Sequence, residues 1–137
     1  MKTQLQHILR LVVLSTTFLA ATAPTQAGQV NTAGGVTIGG TPSMYWASGS
    51  MVGARYSAGG SQYIECSILA STDPTAYVVT CAATDATSHY LNCASNNPMF
   101  REVIEGMTDS SHIYFATASN GGPCTHIEVY QGSDMLK

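Results

Sequence analysis

The chain has 137 residues, only 9% of them charged, with five basic side chains against eight acidic ones. Lys and Arg nowhere cluster, which argues against the phosphate backbone of a nucleic acid and against an anionic membrane surface as partners. The length fits one domain, able to bury a real core yet small enough to gain from covalent staples.

Lys2 and Arg10 lie ahead of an apolar and small-residue run, Leu11 to Ala23, and Thr25-Gln26-Ala27 follows as a small-x-small cleavage site. This is the order of a secretory signal peptide over residues 1–27, with Gly28 as the first mature residue. The charge-free run is too short for a retained membrane anchor, and no Cys follows the cleavage site to carry a lipid. Export leaves Arg55, Arg101 and Lys137 against all eight carboxylates. The expected location is secreted or periplasmic, with no membrane contact after removal of the signal.

Most of the thirteen glycines fall between Gly28 and Gly60, where Gly34-Gly35, Gly39-Gly40 and Gly59-Gly60 mark turns or mobile chain. Residues 28–43 read as a Gly-rich flexible arm, and residues 44–137 as a single β-rich domain. Met44-Tyr45-Trp46 and Met51 to Tyr56 have strand-like apolar content. Trp46, the sole Trp, is expected to be a core anchor, with a surface role in ligand stacking as the competing reading.

Gln62 to Ala70 alternates Ile64, Cys66, Ile68 and Ala70 with Tyr63, Glu65, Ser67 and Leu69, the period of a strand. Ser71-Thr72-Asp73-Pro74 ends it, Ala76 to Thr84 forms the next strand, and Asp85 to Ser88 turns into a third, His89 to Cys93. In this antiparallel meander the turns set Ala70 opposite Tyr77, Ile68 opposite Val79, Cys66 opposite Cys81, and Cys81 opposite Cys93.

Four cysteines, Cys66, Cys81, Cys93 and Cys124, in an exported chain predict two disulfides. Their spacing contains no C-x-x-C and no Cys/His knuckle, so neither a thiolate zinc site nor a thioredoxin-like role is expected. A Cys66–Cys93 bridge would skip a strand. The pairings left are Cys66–Cys81 with Cys93–Cys124, slightly favoured, or Cys81–Cys93 with Cys66–Cys124.

Asn97-Pro98 opens a helix over about 98–106, with Phe100, Val103, Ile104 and Met107 on one face and Gly106 near its C-cap. Ser111 to Ala118 and Cys124 to Tyr130 flank a loop of turn formers, Ser119 to Pro123, and make the last hairpin. The fold expected is mainly β, a small antiparallel meander rolled into a sandwich or partly open barrel, with this one short helix and disulfide staples.

The last hairpin gathers Ile113, Phe115, Ile127 and Val129 on one face and His112, Tyr114, His126, Glu128 and Tyr130 on the other. Tyr114 faces Glu128, His112 faces Tyr130, and His126 is placed diagonally from His112. His112, His126 and Glu128 are the candidate ligands for zinc or copper, although the expectation is a solvated polar face with no cofactor. Asp85 and His89, with nearby Ser, invite a triad reading, but no nucleophile elbow is present. Glu102 and Glu105 sit on one helix beside Arg101, as surface charges rather than a glycosidase pair.

These features predict an exported, disulfide-stabilised domain with a binding or structural role and without an assigned enzyme activity; a protein or a glycan is the partner its polar surface suits. The alternatives are a self-assembling subunit whose arm, containing Val36-Thr37-Ile38, adds a strand to a neighbour, or a small secreted hydrolase or metal-binding protein built on His112, His126 and Glu128. The oligomeric state is left open.

Overall fold

The computed structural model describes residues 35–132 except Gly59, Pro74 and Thr75. The expected signal peptide and residues 28–34 of the expected arm lie outside the described residues. Among the described residues no helix is long and apolar enough to cross a membrane.

Among the described residues, seven strands form two antiparallel sheets. Strands β1 (Thr37–Thr41), β2 (Met44–Ser50), β6 (His112–Thr117) and β7 (Cys124–Tyr130) make a four-stranded sheet in the order β1-β2-β6-β7. Strands β3 (Tyr63–Ala70), β4 (Tyr77–Thr84) and β5 (Tyr90–Ser95) make the three-stranded meander read from the sequence. Its register sets Cys66 opposite Cys81, Ile68 opposite Val79, Ala70 opposite Tyr77 and Cys81 opposite Cys93.

The segment expected to be an arm is partly inside the fold. Thr37–Thr41 pairs with β2 of its own chain, and Val36 joins the core, its backbone N–H donating to Gln62 Oε1 at 2.7 Å. Met51 to Tyr56, read as strand-like, is instead a short helix, α1 (Met51–Arg55). Ser50 caps it by accepting from the Gly53 N–H at 3.2 Å, and Ala54 packs into the core, so a local cap and one buried contact override the apolar content. The second helix, α2 (Pro98–Glu105), begins as expected, with Asn97 Oδ1 accepting from the Met99 N–H at 3.0 Å and Pro98 in the first turn. Ile104 is its buried residue, and Phe100 packs against the core.

The inner faces of the two sheets share one core. Ile64, Val79, Ala83 and Leu91 come from the three-stranded sheet, and Ala47, Ile113, Phe115 and Ile127 from the other. Phe115 is fully buried, and its truncation to Ala would cost about 3–5 kcal/mol. All four cysteines lie in this core. Cys66 is bonded to Cys81 across adjacent strands, with Cα atoms 4.1 Å apart, and Cys93 to Cys124, with Cα atoms 5.0 Å apart. The first bond staples the meander to itself; the second ties β5 to β7 and so joins the sheets.

Cys124 reaches the core because the β6–β7 ladder is irregular. Ala116 pairs with His126 and Thr117 with Cys124, so Thr125 is an extra residue between them. A regular ladder would turn Thr125 inward and Cys124 outward; the bulge absorbs one residue and returns Cys124 to the inner face. The loop before β7 closes the same seam. Gly121 N–H donates to Asn92 O at 2.9 Å, and Ala94 N–H to Gly122 O at 3.1 Å. The Asn120 side chain accepts from the Asn92 N–H and donates to Tyr90 O, both at 3.0 Å. The outer edge of β5 is thereby covered, which satisfies backbone groups that an open edge leaves free. Gly121 adopts φ +79, a conformation that favours glycine.

We predict that replacing both cysteines of a pair by Ala destabilises the protein by about 3 kcal/mol for Cys66–Cys81 and about 4 kcal/mol for Cys93–Cys124, because the second closes the longer loop, with a separation of 31 residues against 15. Equilibrium urea unfolding of the two double variants checks both the size and the order.

Candidate functional site

The outer face of the four-stranded sheet collects most of the residues with chemistry. On β6 and β7 it carries His112, Tyr114, His126, Glu128 and Tyr130, and the observed register sets His112 opposite Tyr130 and Tyr114 opposite Glu128. Through β2, the same face gains Ser48 opposite Tyr114 and Trp46 opposite Ala116. Trp46 is therefore not a core anchor. Ala47, its neighbour in β2, fills the inward position against Phe115, and alternation turns Trp46 out together with Ser48.

Small residues make room for the indole. Gly39 lies opposite Trp46 on β1, and a Cβ added there would stand 2.6 Å from the ring atom Cζ2, so the indole lies across the bare glycine. On the other side Ala116, between Trp46 and His126 in the ladder, is only 2% exposed although it belongs to this face. The Trp46 and Tyr114 rings are near-parallel, at 21°, with centroids 6.2 Å apart. His126 meets Tyr114 edge-on, at 73° and 5.5 Å. The result is a half-exposed aromatic strip with an imidazole standing at one end.

Beside the strip, Ser48, His112, Tyr114, Glu128 and Tyr130 line a shallow concavity of about 340 Å³. Ser48 Oγ lies 3.4 Å from His112 Nε2, and His126 Nε2 lies 3.7 Å from a Glu128 oxygen. Glu128, His126 and Tyr130 remain largely exposed, so they meet solvent at little cost and are open to a ligand.

The three candidate metal ligands do not converge. His126 pairs with Ala116, four residues along β6 from His112, so His126 borders Tyr114 rather than lying diagonal to His112. Among the described residues no group of three His, Cys, Asp or Glu side chains is placed to hold a metal ion. Glu102 and Glu105 are also separated in role, since Glu105 accepts from Arg101 Nε at 2.7 Å while the Arg101 guanidinium lies over the Tyr77 ring at 5.2 Å.

Asp85 and His89 do meet, together with Thr87. Asp85 Oδ1 accepts from the Thr87 N–H at 2.8 Å, the Thr87 hydroxyl at 2.7 Å and the His89 N–H at 3.0 Å. Asp85 Oδ2 lies 3.1 Å, and Thr87 Oγ1 2.9 Å, from the same ring nitrogen, His89 Nδ1. A triad needs the carboxylate and the nucleophile on opposite ring nitrogens. Here both use Nδ1, so Thr87 is not in the position of a triad nucleophile, and the cluster fastens the β4–β5 turn. Burial opposes ionisation of Asp85, yet the hydrogen bonds from the Thr87 hydroxyl, the backbone of His89 and Thr87 and the His89 ring outweigh it and hold its pKa at about 2, below 3.8.

Because the carboxyl is held low in the folded state, its stabilising contribution is complete above the unfolded value near 4 and is lost as pH falls toward 2. We predict that Asp85→Asn lowers stability at pH 7 by at most about 2 kcal/mol. The difference from the native protein should shrink between pH 5 and about pH 2, as thermal melts across that range would record. Comparison of the chain with protein-family models, with curated proteins and with solved structures finds no match.

Proposed function

We propose that this is an exported binding domain that uses the outer face of its four-stranded sheet to hold a partner outside the cytoplasm. The observation that carries the reading is Trp46, displayed outward on Gly39 and aligned with Tyr114 instead of filling the core. A small protein with one Trp gains most by burying it. Spending that side chain on a solvent-facing strip beside a polar concavity is the layout of a recognition surface, where rigid aromatics supply contact area at low entropic cost.

Export rests on the charged, apolar and small-residue order of residues 1–27 together with two closed disulfides, which fit an oxidising compartment. The core is held from within by those bonds, and the outer face contributes little to it. A binding role is favoured over catalysis because Asp85, His89 and Thr87 share one ring nitrogen, and His112, His126 and Glu128 form no converging set.

Two measurements test the reading. Protein recovered outside the cells should begin at Gly28-Gln29-Val30, whereas material retaining Met1 would contradict export. The native protein should sediment with the insoluble surface material of the cells that make it, and the Trp46→Ala/Tyr114→Ala variant should stay in the supernatant while keeping its disulfides and cooperative melt. Equal sedimentation of the two would remove this face from the function.

A further inference from the structure

We infer that the ligand of this face is a neutral, hydroxyl-rich glycan, an inference that rests on the binding reading above and adds its chemical class. Three observations of different kinds converge on it.

The first is ring geometry. Trp46 and Tyr114 stand within 21° of parallel, and the inclined neighbour, His126 at 73° to Tyr114, is an imidazole at one end, so the two larger rings present a strip and not a box. A quaternary ammonium is best held by rings inclined around it. A pyranose ring instead offers a flat face of axial C–H bonds, whose partial positive charge suits the negative face of an aromatic ring. The glycine under the indole keeps the strip low and open, since any Cβ at Gly39 would displace the ring.

The second is charge. The Lys and Arg residues among the described ones, Arg55 and Arg101, belong to α1 and α2, and neither lies on this face. A sulfated or uronic-acid chain would meet the Glu128 carboxylate without either described arginine to offset it.

The third is the hydrogen-bonding inventory of the concavity next to the strip. Glu128 accepts, whereas the hydroxyls of Ser48 and Tyr130 and the imidazole of His112 offer both donors and acceptors. Vicinal sugar hydroxyls need that mixture, because each donates and accepts. At about 340 Å³ the concavity is at the small end of ligand sites, with room for a sugar ring while the chain continues over the strip.

Trp46 is the only Trp of the chain, so its emission reports this site and no other. The test titrates the intact disulfide-bonded protein with the hexasaccharides of cellulose, xylan, mannan and N-acetylated chitin, with hexagalacturonate and a trimethyl-lysine peptide as charged comparisons. At least one neutral hexasaccharide should change the Trp46 emission saturably, and neither charged probe should compete with it. Tyr114→Ala, which keeps the reporter, should weaken that binding about tenfold or more. Tyr63→Ala, which removes an exposed tyrosine from the other sheet, should leave it unchanged. Trp46→Phe keeps a ring over Gly39 and should retain calorimetric binding that Trp46→Ala loses, which separates loss of the platform from loss of the fold.

A saturable response to a charged probe but to no neutral sugar would overturn the inference, as would sugar binding indifferent to both Tyr114→Ala and Trp46→Ala. If no neutral sugar binds while sedimentation still depends on Trp46 and Tyr114, the ligand class is wrong and the binding face stands, with a protein as its partner. If sedimentation is also indifferent, both readings fall.

Discussion

The structure depends on the seam between β5 and β7. Two sheets of three and four strands share a core in which Ala and Cys supply seven of the fifteen clustered residues, with Phe115 its largest fully buried side chain. Such a core gives limited apolar burial per residue, and ordering the chain costs about 1–2 kcal/mol per residue in backbone entropy. The Cys93–Cys124 bond removes part of that cost from the unfolded side, and it joins the sheets where Asn120, Gly121 and Gly122 cover the edge of β5. Bond and loop support each other, since Cys93 lies between Asn92 and Ala94, the residues the loop bonds to, and Cys124 directly follows the loop.

This internal fastening leaves the outer face of the four-stranded sheet to the proposed binding role. Size alternates across the rungs on both sides of the sheet. Inward, Ile38, Ala47, Phe115 and Ile127 share a rung, so the small residue lies beside the largest; outward, Gly39, Trp46, Ala116 and His126 share the next. Phe115 and Trp46 are thus accommodated on opposite faces of neighbouring rungs, each by an Ala or Gly beside it. The turn at Asp85 works to the same end in the other sheet. It fixes the β4–β5 hairpin with a network that satisfies a buried carboxylate and takes up Nδ1 of the exposed His89 ring.

Local patterning carried much of the fold. Alternation through Gln62 to Thr84 and the turn lengths determine the meander register, and the Asn97-Pro98 cap determines the start of α2. The rung order of the last hairpin, including Tyr114 opposite Glu128, also follows from its loop. What local patterning lacked was partner information. Nothing near β2 in the chain says that it will pair with β6, more than sixty residues away, so the polar face looked like a two-strand patch without its indole. The signal for Trp46 was nonetheless there, since it shares strand parity with Ser48 and Ser50 while Ala47 takes the opposite side. The Thr125 bulge left no comparable trace, because an extra residue in a strand is visible only once the disulfide demands that Cys124 point inward. Helix α1 was hidden for a third reason, a five-residue turn of helix held by the Ser50 cap and the burial of Ala54 more than by its own propensity.

The proposed recognition surface depends on which side of β2 the indole occupies. The most direct measurement is acrylamide quenching of Trp46 fluorescence in the native protein, compared with the protein reduced and unfolded in denaturant. An indole lying on Gly39 at the outer face should be quenched in the native state at a substantial fraction of its unfolded efficiency, with the emission of a solvent-contacting Trp. Native emission shielded from acrylamide, shifted to the blue and released only on unfolding, would put Trp46 in the core and contradict the recognition surface.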